Sequence, residues 1–115
     1  MMTFALPSSQ HSVLSPIILM TQPRAILLTS PGSAAIAVVR IFQPTAFLAK
    51  HFSKSAPPLR CVHGEIKDGQ RVLDDAIVVL GEDERFADLN LHGGPWVVES
   101  VLQLLRREGF DVVIP

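Results

Sequence analysis

The chain has 115 residues, of which 48% are hydrophobic and 18% charged, with a formal net charge of -1 at pH 7. This length and composition predict one folded domain, not a disordered segment, and the charge gives no overall attraction for nucleic acid. The single cysteine, Cys61, excludes an internal disulfide and favours a cytoplasmic setting. The apolar runs are far shorter than the roughly 20 residues that a membrane-spanning helix needs, which excludes such a helix.

The N-terminal stretch differs from the rest of the chain. Residues 1–22 contain four serines and no charged side chain. A secretory signal needs a basic segment before its apolar core, and none is present. We therefore predict a loosely ordered leader at 1–22, with Met20 as an alternative start, and a domain at 23–115.

Apolar periodicity divides the domain into six strands and two helices. Alternating or β-branched runs predict strands at 25–29, 36–42, 61–66, 72–80, 86–92 and 111–114. Asp68-Gly69 between two of these runs predicts a hairpin turn. One helix follows Pro44, with Phe47, Leu48 and Phe52 on one face, and the second runs over 95–108.

The order β-β-α-β-β-β-α-β predicts an α+β fold, a single domain with both helices packed on a mixed sheet. A ferredoxin-like regulatory module drawn through residues 36–114 is an alternative, which the strand order would separate from the first interpretation.

The run His92-Gly93-Gly94-Pro95 joins the fifth strand to the second helix. Pro95 suits the first position of a helix, and the two glycines permit a tight turn with positive φ. His92 would meet a helix N-terminus, whose free N–H groups favour anions. The junction is either a corner of a binding site or only a tight turn.

The sequence lacks the motifs of a self-contained enzyme. It has no Gly-x-x-x-x-Gly-Lys-Ser/Thr phosphate loop and no Gly-x-Ser-x-Gly nucleophile elbow. Cys61 and His63, two residues apart, are a weak metal signal. We therefore assign no catalytic residue, no nucleotide site and no metal site, and leave enzymatic activity uncertain.

Four motifs follow one another in a recognisable order. Thr29-Ser30-Pro31-Gly32 leads into Ile36 to Ile41, followed by a Gly69 to Asp74 hairpin, a Gly81-Glu82-Asp83 segment and His92 to Pro95. In this order they resemble the start of the tRNA-modification GTPase family MnmE/TrmE, over about Arg24 to Pro115. The resemblance implies a fold similar to folate-binding aminomethyltransferase domains, a homodimer, and binding of a 5-formyl-tetrahydrofolate-type one-carbon carrier.

The resemblance also implies a larger setting. Whole members of the family carry a helical domain, a GTPase domain and a C-terminal cysteine motif, and with an MnmG-type partner they modify the wobble uridine of tRNA. Those parts are missing here, so we expect a truncated or stand-alone domain without GTPase activity. The family's Gly-Arg-Gly-Gly reads Gly32-Ser33-Ala34-Ala35 in this chain. The alternative is therefore a degenerate structural or dimerisation domain that has lost ligand binding.

By resemblance, two residues carry the ligand site. Arg40 matches the family's folate-contacting arginine, and Asp88 matches a glutamate upstream of the His-Gly-Gly-Pro run. Arg40 would pair with a carboxylate or a pterin oxygen, and Asp88 would accept two N–H groups from the amino-pyrimidine edge of a pterin. Weaker candidates are Glu84, His92, Gly93 and Gly94.

Each assignment has a structural alternative. Arg40 is either a ligand clamp or a strand-end arginine paired with Glu65 or Asp74. Asp88 is either a ligand contact or a solvated carboxylate on a polar strand face. Trp96 is either a lid on the core or a dimer contact.

Overall fold

In the computed structural model, residues 22–30 and 35–115 are described, and they form six strands and two helices. The strands are β1 (Arg24–Leu27), β2 (Ile36–Phe42), β3 (Cys61–Asp68), β4 (Arg71–Leu80), β5 (Phe86–His92) and β6 (Asp111–Val113); the helices are α1 (Thr45–His51) and α2 (Pro95–Arg107). The predicted number and order of elements are confirmed. The predicted leader, up to residue 21, and the alternative start at Met20 lie outside the described residues.

All six strands form one sheet in the order β3-β4-β5-β2-β1-β6. Four of its pairings are antiparallel and the β1–β6 pairing is parallel, so the sheet is mixed and the predicted α+β class is confirmed. In a ferredoxin-like module, α1 would connect two parallel strands with one strand between them. Here α1 connects β2 to β3, which run in opposite directions with two strands between them, so that alternative is wrong.

Both helices pack on the same face of the sheet. Lys50 of α1 reaches Glu108, just after α2, with Nζ 3.2 Å from Oε2. Alternate strand residues face this layer and are buried, because side chains point to opposite faces along a strand; they include Ala37, Val39, Ile41, Ala87, Leu89 and Leu91. The opposite face, which we call the open face, is only partly buried. Neither helix of the described ranges is long and apolar enough to cross a bilayer.

The hairpin and the second helix form where the sequence predicts them. Gly69 has a φ of 64°, a conformation that favours glycine, and it turns the chain between β3 and β4. Pro95 begins α2, whose residues Val101, Leu102 and Leu105 are buried. These local signals succeed because turn chemistry and helix periodicity are properties of neighbouring residues.

The prediction for Phe52 is wrong in one respect. α1 ends at His51, and Phe52 is extended with a φ of -109° and a ψ of 136°. Phe52 is nevertheless buried, pairing with Ile66 in an isolated bridge. Its ring lies against Gly64, where a Cβ would be 2.8 Å from Cε1. This contact with a distant strand, not helix periodicity, explains why Phe52 is apolar.

Candidate functional site

Arg40 and Asp88 lie directly opposite each other in the middle of the open face. β2 and β5 are antiparallel, and their register pairs these two residues. Arg40 donates two hydrogen bonds to the carboxylate, from Nε to Oδ1 over 2.8 Å and from Nη2 to Oδ2 over 2.9 Å. The planar fork of the guanidinium matches the two oxygens of the carboxylate, which makes this pair stronger than a single contact.

This pairing changes the interpretation of both residues. The predicted structural partners of Arg40, Glu65 and Asp74, are wrong, because the partner is Asp88. The hydrogen bonds to Asp88 raise the pKa of the Arg40 guanidinium above its ordinary value. The two residues assigned to a ligand by resemblance are therefore brought together, and in the described structure they satisfy each other.

The ring of Phe86 completes this cluster. The guanidinium carbon of Arg40 lies 4.2 Å from the ring centroid, a cation–π arrangement. Phe86 is two residues before Asp88 on β5 and therefore faces the same way. A cavity of about 640 Å³ is lined by Arg40, Phe86, Asp88, Val79, Leu59 and residues 80–83.

Gly81 makes room for the Phe86 ring. A Cβ at this position would lie 2.7 Å from Cε1 of Phe86, closer than real side chains approach. Gly81 and Phe86 are also joined by a hydrogen bond from the N–H of Gly81 to the carbonyl of Phe86. Neither residue was assigned to the site from the sequence. The alternation of Phe86 with Asp88 along β5 could have placed Phe86 on the same face as Asp88. The position of Gly81 depends on a contact across a loop and could not have been predicted in this way.

His92 is held by a buried carboxylate. Its backbone N–H donates to Oδ2 of Asp74 over 2.9 Å, and its Nδ1 lies 2.8 Å from Oδ1 of the same residue. The His92 side chain is 71% exposed, whereas that of Asp74 is 7% exposed. Asp74 thus fixes the turn after β5 and orients the imidazole of His92, most of which remains exposed to solvent.

The two glycines of this junction do not have the expected backbone. The positive-φ glycines of the described residues are Gly69 and Gly109, so neither Gly93 nor Gly94 has a positive φ. Gly94 is extended, with a φ of -60° and a ψ of 140°, and caps α2. Gly93 donates its N–H to the carbonyl of Ala35 over 2.9 Å. Because neither glycine of this connection has a positive φ, the expectation of a positive-φ turn is wrong.

Glu84 lies apart from the Arg40–Asp88 pair. It is exposed in the loop between β4 and β5, with a φ of 59°. It lines a separate cavity of about 420 Å³ beside α1, with Leu48, Phe52 and Lys54 among the other lining residues. Its role in ligand binding stays a prediction.

Trp96 does not act as a lid on the core. It is 62% exposed in the first turn of α2. The guanidinium carbon of Arg71 lies 6.0 Å from its ring centroid. Of the two expected roles, the lid on the core is wrong, and the dimer contact stays a prediction.

Fold and site together define a two-layer α+β domain whose open sheet face bears a paired arginine and aspartate stacked on an aromatic ring. The chain belongs to the family described as GTP-binding protein TrmE N-terminus, whose model matches residues 25–113. The predicted membership is confirmed.

Among relatives, the chain is similar to proteins named tRNA modification GTPase MnmE. The relative from Listeria innocua is 32% identical over 79% of this chain and 23% of its own length. That from Thermotoga sp. strain RQ2 is 30% identical over 76% of this chain and 22% of its length. That from Chlorobium phaeobacteroides is 30% identical over 92% and 26%. The chain thus spans about a quarter of the length of these curated relatives.

Proposed function

We propose that this domain binds a 5-formyl-tetrahydrofolate-type one-carbon carrier on its open face, as the N-terminal domain of a tRNA modification GTPase. The observation that carries the proposal is the cluster of Asp88, Arg40 and Phe86 in the wall of the 640 Å³ cavity. A pterin is planar, with two parallel N–H donors on one edge. Asp88 supplies the acceptors for that edge, and Phe86 supplies a flat apolar surface for the ring.

The size and position of the cavity agree with this assignment. Small-molecule sites are concave and mostly apolar with a few polar groups that fix orientation, in cavities of roughly 300–1,000 Å³. Here the polar groups sit on central strands, which hold them more firmly than loops would. Asp88 is one methylene shorter than the glutamate it matches in the family, so the ring of the ligand must approach β5 closely.

The same proposal assigns the partners. The domain acts in the cytoplasm as a homodimer, and tRNA and an MnmG-type protein are partners of the complete protein. GTP hydrolysis belongs to the parts of the relatives that this chain does not cover. Ile36 and Ile77, 57% and 42% exposed on the open face, are apolar surface that a second copy of the chain would cover.

Titration calorimetry with 5-formyl-tetrahydrofolate tests ligand binding. We expect saturable heat with the wild type and its loss in Asp88→Asn, because an amide offers one acceptor where the ligand edge needs two. Asp75→Asn is the matched control, since Asp75 lies on the open face but pairs with His63. Absence of heat with the wild type at millimolar ligand refutes the binding proposal and leaves the fold unaffected.

The second candidate is a structural or dimerisation domain that has lost the ligand. The observation that favours it is that Asp88 and Arg40 already satisfy each other. Light scattering at tens of micromolar protein tests this candidate. A dimer without ligand binding supports it, and a monomer contradicts it.

A further inference from the structure

The cavity of about 420 Å³ beside α1 is distinct from the cavity around Asp88. It is formed by α1, by residues 52–56 that follow α1, and by the end of β4 with the loop after it. Leu48, Phe52 and Leu80, whose side chains are buried, form its apolar lining. Small-molecule sites are concave, with volumes of roughly 300–1,000 Å³, so this cavity is large enough to enclose a small ligand.

Two side chains of opposite charge line this cavity without partners. They are Lys54 and Glu84. Within ranges 22–30 and 35–115, neither side chain forms an ion pair or a hydrogen bond, either with the other or with a third residue. By contrast, Lys50 in the last turn of α1 is paired with Glu108. An unpaired ammonium and an unpaired carboxylate on the wall of one cavity are complementary to a ligand that carries both charges.

Pairing with β3 sets the position of Lys54. The preceding residue, Ser53, donates its N–H to the carbonyl of Glu65 over 3.0 Å, and its hydroxyl accepts the N–H of Glu65 over 2.8 Å. The stem of Lys54 lies against Gly64, where a Cβ would be 3.0 Å from Cγ of Lys54. The backbone and the inner part of this side chain are therefore held in place before any ligand arrives, which lowers the entropy cost of binding.

Glu84 has a backbone conformation that is unfavourable for its residue type. Its φ is 59°, and its N–H donates to the carbonyl of Gly81 over 3.0 Å. Glycine adopts this left-handed conformation without strain, so the turn itself gives no reason for a glutamate. Strained residues are concentrated at functional sites. The carboxylate that Glu84 brings to the cavity supplies the reason for a glutamate at this position.

We propose that this cavity binds a small zwitterion with an apolar body. The ligand is an amino acid whose carboxylate meets Lys54, whose ammonium meets Glu84, and whose apolar body covers the apolar lining. The inference is independent of the proposed function, because it concerns a different cavity and different side chains. Selectivity follows, because a ligand with only one charge would cover the other wall charge without pairing it.

Ligand-observed NMR with the complete chain tests the inference. The probes are leucine and 6-aminohexanoate, in which the two charges lie close together and far apart, respectively. N-acetyl-leucine keeps only the carboxylate, leucinamide keeps only the ammonium, and glycine keeps both charges without the apolar body. Lys54→Met and Glu84→Gln each remove one wall charge with little change in size. Glu82→Gln is the matched control, because Glu82 belongs to the same loop but lines the cavity around Asp88.

We expect at least one of the two zwitterions to bind the wild type, and its affinity to fall about fivefold in Lys54→Met and in Glu84→Gln, since each variant loses one partly exposed ion pair. Glu82→Gln should leave the affinity unchanged. Binding of N-acetyl-leucine should not be weakened by Glu84→Gln, nor that of leucinamide by Lys54→Met. Glycine should bind about tenfold more weakly than leucine, because it covers none of the apolar lining. The tighter of leucine and 6-aminohexanoate identifies the charge separation of the ligand.

Two results would overturn the inference. One is the absence of saturable binding of both zwitterions at millimolar concentration, which is also the result expected if a protein segment covers this cavity. The other is binding that neither Lys54→Met nor Glu84→Gln weakens. Binding of 5-formyl-tetrahydrofolate should be the same in Lys54→Met as in the wild type, so the inference and the proposed function can fail separately.

Discussion

The Arg40–Asp88 pair should stabilise the domain measurably, and a double-mutant cycle isolates its contribution. The perturbations are Arg40→Met, Asp88→Asn and the double variant. Fully exposed ion pairs contribute about 0.2–1 kcal/mol. This pair is bidentate and its side chains are 36% and 21% exposed, so we expect a coupling energy of about 1 kcal/mol, at the upper end of that range.

Urea denaturation followed by circular dichroism provides the assay. For a domain of this size a loss of 1 kcal/mol lowers the midpoint by about 0.5–1 M urea. The His63–Asp75 pair is the control, because it lies on the same face at 2.9 Å but its side chains are 66% and 59% exposed. Its coupling energy should be near zero. Equal coupling energies for the two pairs would refute the reasoning from burial and bidentate geometry.

Three further predictions concern the rest of the domain. Arg107 holds the pKa of Asp68 below its ordinary value through a hydrogen bond. This pair therefore stabilises the fold at pH values above the pKa of Asp68 in the unfolded chain. The stabilisation is lost as the pH falls through the lower pKa of Asp68 in the folded chain. The melting temperature of Arg107→Gln should therefore fall less between about pH 7 and pH 3 than that of the wild type, and an equal fall contradicts this. Leu104→Ala, at a side chain with no exposed surface, should cost about 3 kcal/mol in urea denaturation, and a cost below about 1 kcal/mol would contradict the placement of Leu104 in the core. Gly81→Ala should lower the free energy of unfolding by about 1–3 kcal/mol and weaken binding of 5-formyl-tetrahydrofolate in calorimetry, because the new Cβ displaces Phe86. Unchanged affinity would show that Phe86 is not part of the site.

Local sequence signals predicted most of the elements. The alternation Phe86 to His92 and the long stripe after Pro95 place their residues correctly, because each period belongs to one element. Phe52 shows where this reasoning stops. Its spacing from Phe47 and Leu48 fits a helix face, but the bridge to Ile66 of β3, fourteen residues further along the chain, decides its backbone.

The pairing of Arg40 with Asp88 was not predicted from the sequence, and their role in ligand binding stays a prediction. Alternation placed Asp88 on the polar face of its strand, and an arginine on an apolar strand requires a partner. Which partner it finds depends on the register of β2 against β5, and the intervening chain includes three other elements. Sequence spacing carries no information on that register, so Glu65 and Asp74 were equally acceptable partners.

His51 is a residue for which the sequence offered no signal. It is 4% exposed, and its Nδ1 lies 2.8 Å from the carbonyl of Lys67. Its Nε2 lies 3.5 Å from Glu108. A histidine in the last turn of a short helix is ordinarily solvated, and burial here comes from the packing of β3 and the end of α2 around it.

Backbone amide chemical-shift mapping with 5-formyl-tetrahydrofolate tests most directly whether the open face around Asp88 binds the one-carbon carrier. Binding at this place predicts that the largest shifts fall on residues 38–42 and 79–90 and disappear in Asp88→Asn. Shifts confined to the helices, or no shifts at millimolar ligand, would contradict it.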